Sequence, residues 1–273
     1  MDEIRVSNWN ELNERLYESS WQEPLGRFRS YFAYRGLSDA SYDLKTSLMR
    51  LAGTTKKLEG HLLRNFRKYA HRGVSTDDSV WNWLALAQHH GLPTRLLDWT
   101  YSPLVALHFA TANLEKYDRD GVVWCVNFVR TNQLLPKILK DVLEEEGSSA
   151  FTVEMLSRVA ERLSDFDKLS KKKFVIFFEP PSLDDRIVNQ FALFSLVSSP
   201  VARLDQWLAL RPNLCRKIII PASLKWEVRD KLDQANITER VLFPGLDGLS
   251  LWLNRYYTIR KMVMEDDEGS SGI

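Results

Sequence analysis

Apolar positions recur along this chain with two periods, and each switch between them marks an element. From Asn8 to Ser20 they fall three and four apart. Trp9, Leu12, Leu16 and Tyr17 then share one side, which predicts an amphipathic helix. The same spacing returns over residues 56–72, where Leu58, Leu62, Leu63, Phe66 and Tyr69 form the stripe. A third helix follows Ser79 in VWNWLALAQHH and stops at Gly91-Leu92-Pro93, a glycine past the helix end with a proline soon after. Ser102-Pro103 supplies the N-cap and first position of a fourth, PLVALHFATANLEKY.

Strand patterns lie between and after these. RSYFAYR, residues 29–35, is aromatic and β-forming and ends at Gly36. RLLDW is short and extended. VVWCVNFV, FVIFFEPP, RIVNQFALFSLV and CRKIIIPA read as further strands, so strands are expected near residues 30, 97, 122, 174, 187 and 216. LKWEVRDKLDQA and the segment after FPGLDG read as closing helices. Helices dominate the first half, and the charged stretch 131–172 reads as a helical insertion. No Pro/Gly linker divides the chain. The expectation is one α+β domain over residues 1–258, followed by a flexible acidic tail over 259–273.

Composition narrows the function classes. Lys plus Arg (37) nearly cancels Asp plus Glu (36), for a net charge of +1, so no global field favours nucleic acid or a membrane surface. No apolar run approaches the roughly 18–20 residues of a membrane helix. The charged N-terminal stretch MDEIRVSNWNELNERL shows no signal-peptide pattern, and a cytoplasmic protein is expected. Cys125 and Cys215 sit inside apolar strands, as small buried hydrophobes do. The nine tryptophans are scattered, which assigns them to the core and its rim. GxGxxG, GxxxxGK[ST] and GxSxG patterns do not occur, which excludes the commonest dinucleotide, P-loop and α/β-hydrolase signatures.

The polar chemistry concentrates in QHHGLPTRLLDWTYS, residues 88–102. His89 and His90 diverge by about 100° on a helix and cannot readily share an ion, so no metal site is expected. His89 either meets a ligand or caps its helix. Leu96 and Leu97 draw the segment inward, which assigns Arg95 and Asp98 to structural support as buried charges needing partners. Arg35-Gly36, at a strand end, joins a multi-donor cation to a residue that permits close backbone approach. The basic helix over 56–72 offers a nucleic-acid surface, but its apolar stripe favours an ordinary solvated face.

Four of these stretches, in order, resemble the FRG domain, a family named for a Phe-Arg-Gly motif. YFAYRGLSDASYDLKTSLMR resembles its opening, with Tyr34-Arg35-Gly36 at the motif and Tyr in place of Phe. AQHHGLPTRLLDWTYSPLVALHFAT is similar to its central block. EPPSLDDRIVNQFALFSL resembles its Arg-Ile…Gln…Gly…Phe block, with Arg186 and Gln190 in place and Ala192 where Gly is expected. VLFPGLDGLSLWL resembles its close, so the resemblance spans about residues 29–253.

A more distant resemblance is to mono-ADP-ribosyltransferases, which carry an Arg-Ser-Glu pattern on successive strands. Tyr34-Arg35-Gly36, then Asp98-Trp99-Thr100 leading into Ala106-Leu107-His108-Phe109-Ala110, then QFALFSL, follow that order. Gln190 stands near the place of the Glu, and Glu179 would supply a carboxylate from the preceding strand. The resemblance implies a split-sheet core that binds NAD or a related nucleotide. Tyr34, Arg35, Gly36, His89 and Thr100 would bind the ligand. Arg35, His89, Thr100, Gln190 and Glu179 would serve catalysis, with Arg95, Asp98 and Arg186 in support. The implied activity is ADP-ribosyl transfer, to a protein or nucleic-acid acceptor, or NAD glycohydrolysis, as an effector in phage defence or a toxin-like system. The alternatives are a non-enzymatic interaction module and, last, a nucleic-acid binder. Gln190 weighs toward a binder, because it hydrogen-bonds as a Glu does but carries no charge.

Overall fold

Runs of Val, Ile, Phe and Trp that alternate inward and outward form the centre of the molecule, a seven-stranded mixed sheet. The computed structural model describes residues 2–51, 56–70 and 78–259. Its strands are β1 (Asp2–Arg5), β2 (Trp21–Gln22), β3 (Arg27–Phe28), β4 (Phe32–Leu37), β5 (Leu97–Thr100), β6 (Gly121–Asn127), β7 (Val175–Phe178), β8 (Ala192–Val197) and β9 (Cys215–Ile220). The sheet order is β1-β9-β6-β4-β5-β8-β7, and β2 and β3 form a separate hairpin. β1 runs parallel to β9, and the other neighbours are antiparallel.

Period-two alternation divides the core by sheet face. Ala33, Leu97, Trp99, Val122, Trp124, Phe177, Leu193 and Ile219 belong to one apolar cluster that runs across the sheet. The alternate residues face the other side, where two groups of helices cover separate halves. Tyr34, Val123, Cys125, Ile218 and Ile220 meet the helices Trp9–Tyr17, Pro103–Thr111 and Lys225–Gln234. Ile176, Phe178, Phe194 and Leu196 meet the helices Val80–His89, Lys137–Glu145 and Val153–Val159. β4 and β5, at the junction of the halves, share one paired position, Tyr34 with Thr100.

The sequence reading needs two corrections. RIVNQFALFSLV is not one strand. The Asp184 side chain accepts from the Ile187 amide at 3.1 Å and caps a short helix, Asp185–Asn189. Phe191 then adopts a φ of 50° before β8 begins. Helices do take the larger share of the first half, although six of the nine strands begin there too. The helices within 131–172 cover β7 and β8, so that stretch closes part of the core. β1 went unforeseen: DEIR is short and charged, and its partner strand lies more than two hundred residues away. Arg72 and the tail beyond residue 259 lie outside the described residues. No helix among the described residues is long and apolar enough to cross a membrane.

One core contact has a consequence in acid. His108, 1% exposed, takes a hydrogen bond on Nδ1 from the Arg229 guanidinium at 2.9 Å. Burial, with the neighbouring Arg229 charge, pushes its pKa from 6.5 down to about 3. The unfolded chain therefore takes up a proton below pH 6.5 that the folded chain refuses until about pH 3. Stability is expected to fall as pH drops through that window, by about 2 kcal/mol at pH 5 from this group alone. Urea titrations at pH 7 and pH 5 check it. His108→Gln, which still accepts from Arg229, is expected to remove that part of the slope; an unchanged slope would refute the assignment.

Candidate functional site

The junction between the two helical layers opens into a cavity of about 560 Å³. Its floor is β4, β5 and β8, and its walls come from the end of the helix Val80–His89, from Phe109, and from the helix Asp185–Asn189. Two other clefts, of about 680 and 700 Å³, are flanked by paired charges: Arg95 with Glu59 and Asp167 at one, Arg255 with Asp233 at the other. The junction cavity is different. It gathers Arg35, His89, Thr100 and Gln190, four residues far apart in sequence, in one place.

Arg35 spans the point where β4 and β5 part. Its Nη1 donates to the Asp98 carbonyl and lies 3.6 Å from Asp98 Oδ2. Its Nε is buried without a hydrogen-bond partner. Burial lowers the proton affinity of this guanidinium, and the Asp98 charge works against that fall. Arg35 therefore brings an incompletely used set of donors to the cavity.

Thr100 and Gln190 lock each other. The Thr100 hydroxyl donates to the Gln190 carbonyl at 2.7 Å and accepts from the Ser102 amide at 3.0 Å. The Gln190 side-chain amide donates to the Leu242 carbonyl at 2.9 Å. His89 Nε2 lies 2.7 Å from Asp184 Oδ2. Burial alone would raise the Asp184 carboxyl, but the Ile187 amide and His89 outweigh it and hold the carboxyl below its ordinary range. His89 is thus held by the residue that also caps the helix Asp185–Asn189.

Several predicted roles change. The Tyr34 side chain is fully buried, and its hydroxyl donates to the Leu16 carbonyl at 3.1 Å with Ser30 Oγ at 2.8 Å. Burial pushes that phenol up to about 12. Its side chain packs in the core, and the residue also borders the cavity, as Gly36 does. Gly36 admits a helix: a Cβ there would stand 1.8 Å from the Ala106 carbonyl oxygen. Glu179 does not line the cavity, and its Oε1 accepts from the Tyr101 hydroxyl at 2.9 Å. Asp98 is not a buried support, because its side chain is 60% exposed and lines the cavity. Arg186 also lines it, with its guanidinium 4.9 Å from the centre of the Phe243 ring. Arg95 lies outside, 3% exposed, between Glu59 and Asp167.

Two residues of the cavity, Gln88 and Phe109, and Asp184 behind His89 escaped the sequence reading. Gln88 precedes the histidines and donates to both Asp98 carboxylate oxygens at 3.0 Å. Asp184 carried a local signal, as an acidic residue ahead of a short apolar turn. Phe109 carried none, since one aromatic in an apolar helix reads as core. Among the described residues no group of three His, Cys, Asp or Glu is placed to hold a metal ion.

Comparison with known families agrees with part of this picture. Residues 30–119 match the family model of the FRG domain. That span carries β4, β5 and the helices Val80–His89 and Pro103–Thr111, and hence Arg35, Gln88, His89, Asp98 and Thr100. The molecule is thus an α+β protein whose cavity includes a segment similar to the FRG domain. No curated protein and no solved structure matches the chain.

Proposed function

We propose that the junction cavity binds a nucleotide, with NAD as the first candidate from the resemblance to mono-ADP-ribosyltransferases. The observation that carries this reading is Arg35, a part-buried cation whose buried Nε has no partner, in a cavity walled by Phe109, Ile187 and Phe194. Apolar walls suit a base, and a guanidinium with spare donors suits a phosphate. Arg35 takes the pyrophosphate. His89, oriented by Asp184, meets a ribose or transfers a proton. Thr100 and Gln190 set the shape of the floor through their mutual hydrogen bond. The activity implied by this reading is NAD cleavage, by transfer or hydrolysis.

Gln190 favours a second reading, a binding module without turnover, since its amide is neutral and already tied to Leu242. One experiment addresses both. NAD binding by calorimetry and nicotinamide release are measured on the wild type and on Arg35→Ala. Charge-assisted contacts contribute about 1.5–3 kcal/mol, so Arg35→Ala is expected to weaken binding at least about tenfold. Its melting temperature is expected to stay close to wild type. Binding without release supports the module, and no binding by the wild type rejects the nucleotide reading.

A further inference from the structure

We infer that Asp98 recognises the ribose of the nucleotide, accepting hydrogen bonds from its hydroxyls, and that Gln88 is the positioning residue that aims it. This rests on the nucleotide reading above. The first observation is strand register. Leu97 and Trp99 face the core that runs across one side of the sheet, so Asp98 and Thr100 point to the opposite side. Asp98 lies on a strand in the middle of the sheet, yet its side chain is 60% exposed. That exposure is into the cavity.

The second observation is what holds the carboxylate. The Gln88 carbonyl oxygen accepts from the Thr94 hydroxyl at 2.5 Å, which fixes the amide so that its nitrogen faces Asp98. That nitrogen lies 3.0 Å from both carboxylate oxygens. A carboxylate offers about four acceptor positions. Gln88 occupies two, and Arg35 at 3.6 Å is beyond a good hydrogen bond. Acceptor capacity therefore remains, on a side chain held in one orientation.

The third observation is competition. Three of the cavity's other polar side chains are engaged elsewhere: the Thr100 hydroxyl with the Gln190 carbonyl, the Gln190 amide with Leu242, and His89 with Asp184. Asp98 is the carboxylate in the cavity lining, with acceptor positions open to a donor pair. Arg35 stands beside it, which disfavours a cationic ligand group and favours neutral donors. Two vicinal hydroxyls are such donors. Asp98 is not needed merely to hold Arg35, because Arg35 donates to the Asp98 backbone carbonyl.

Calorimetry on the full chain tests this with three probes. These are NAD and two analogues lacking the 2′- and 3′-hydroxyls of the adenosine ribose or of the nicotinamide ribose. The wild type is expected to bind one analogue at least about tenfold more weakly than NAD. In Asp98→Asn, NAD binding is expected to weaken about tenfold and that discrimination to shrink to near unity. Gln88→Met, which leaves the carboxylate in place but unaimed, is expected to reduce the same discrimination. A wild type that binds all three probes equally overturns the inference and leaves the nucleotide reading standing. So does an Asp98→Asn protein that weakens all three by one factor, which marks Asp98 as support for Arg35. A wild type that binds none of the three rejects the nucleotide reading itself, and this inference with it.

Discussion

Gly36→Ala is expected to lower the melting temperature by about 6–12 °C, the equivalent of about 3 kcal/mol in a chain of this size. The cause is a backbone contact. A Cβ at residue 36 would stand 1.8 Å from the Ala106 carbonyl oxygen and 2.7 Å from the Ala110 amide nitrogen. No rotamer relieves that overlap, because both atoms belong to the helix Pro103–Thr111 itself. The helix must move outward or the strand must bend. It also carries Phe109, a cavity wall, so ligand affinity is expected to fall with stability. Trimming the facing side chain separates this cause from ordinary crowding. Ala106→Gly does not remove the carbonyl, so the double variant is expected to be no more stable than Gly36→Ala alone. Rescue by Ala106→Gly would show that the side chain, not the backbone, sets the constraint.

That glycine stands in the Tyr-Arg-Gly motif visible in the sequence, yet its role there was read as freedom to approach a ligand. The distinction was not legible, because the partner helix begins nearly seventy residues later. Local chemistry was more readable. The helix ending at Gly91 and the one starting at Ser102-Pro103 were placed from capping residues, which act within one turn. β6 and β9 followed from uninterrupted apolar runs. β1 failed because its four residues carry three charges, and only pairing with β9 makes them a strand.

Asp98 is the instructive error. The two leucines before it suggested that the whole segment turned inward with its charges. The strand begins at Leu97, and from there each residue faces opposite to the last. Leu97 inward and Trp99 inward place Asp98 outward, a conclusion available from LDWT once the strand is granted. The resemblance points instead to Gln190, near the place of the Glu, and to Glu179 for the carboxylate. The structure leaves Glu179 outside the cavity with Tyr101 and ties Gln190 to Leu242.

Arg95→Met is expected to cost about 3–5 kcal/mol, because it leaves two carboxylates buried without a counter-charge. Arg95 Nε donates to Glu59 Oε1 at 2.6 Å, and Nη1 donates to Asp167 Oδ1 at 2.6 Å. All three side chains are nearly closed to solvent, at 3% for Arg95 and 6% for each acid. Burial alone would lower Arg95's proton affinity, but Glu59 and Asp167 outweigh it and the net shift is upward. The guanidinium thus joins the helix Lys56–Ala70, the segment before β5 and the turn after Leu163–Phe166. The energetic point lies in the comparison with a triple variant, Glu59→Gln, Arg95→Met and Asp167→Asn. Removing all three charges also removes the desolvation cost of holding them, so the triple is expected to recover much of the loss. The consequence extends to the cavity, since Thr94, next in the chain, donates to Gln88, and Gln88 aims Asp98. Arg95→Met is therefore expected to weaken nucleotide binding without touching the ligand, and the triple variant to restore it in part. Denaturant titration and calorimetry on the same samples decide the matter. A single variant as stable as the triple would show that the three charges do not act as one unit.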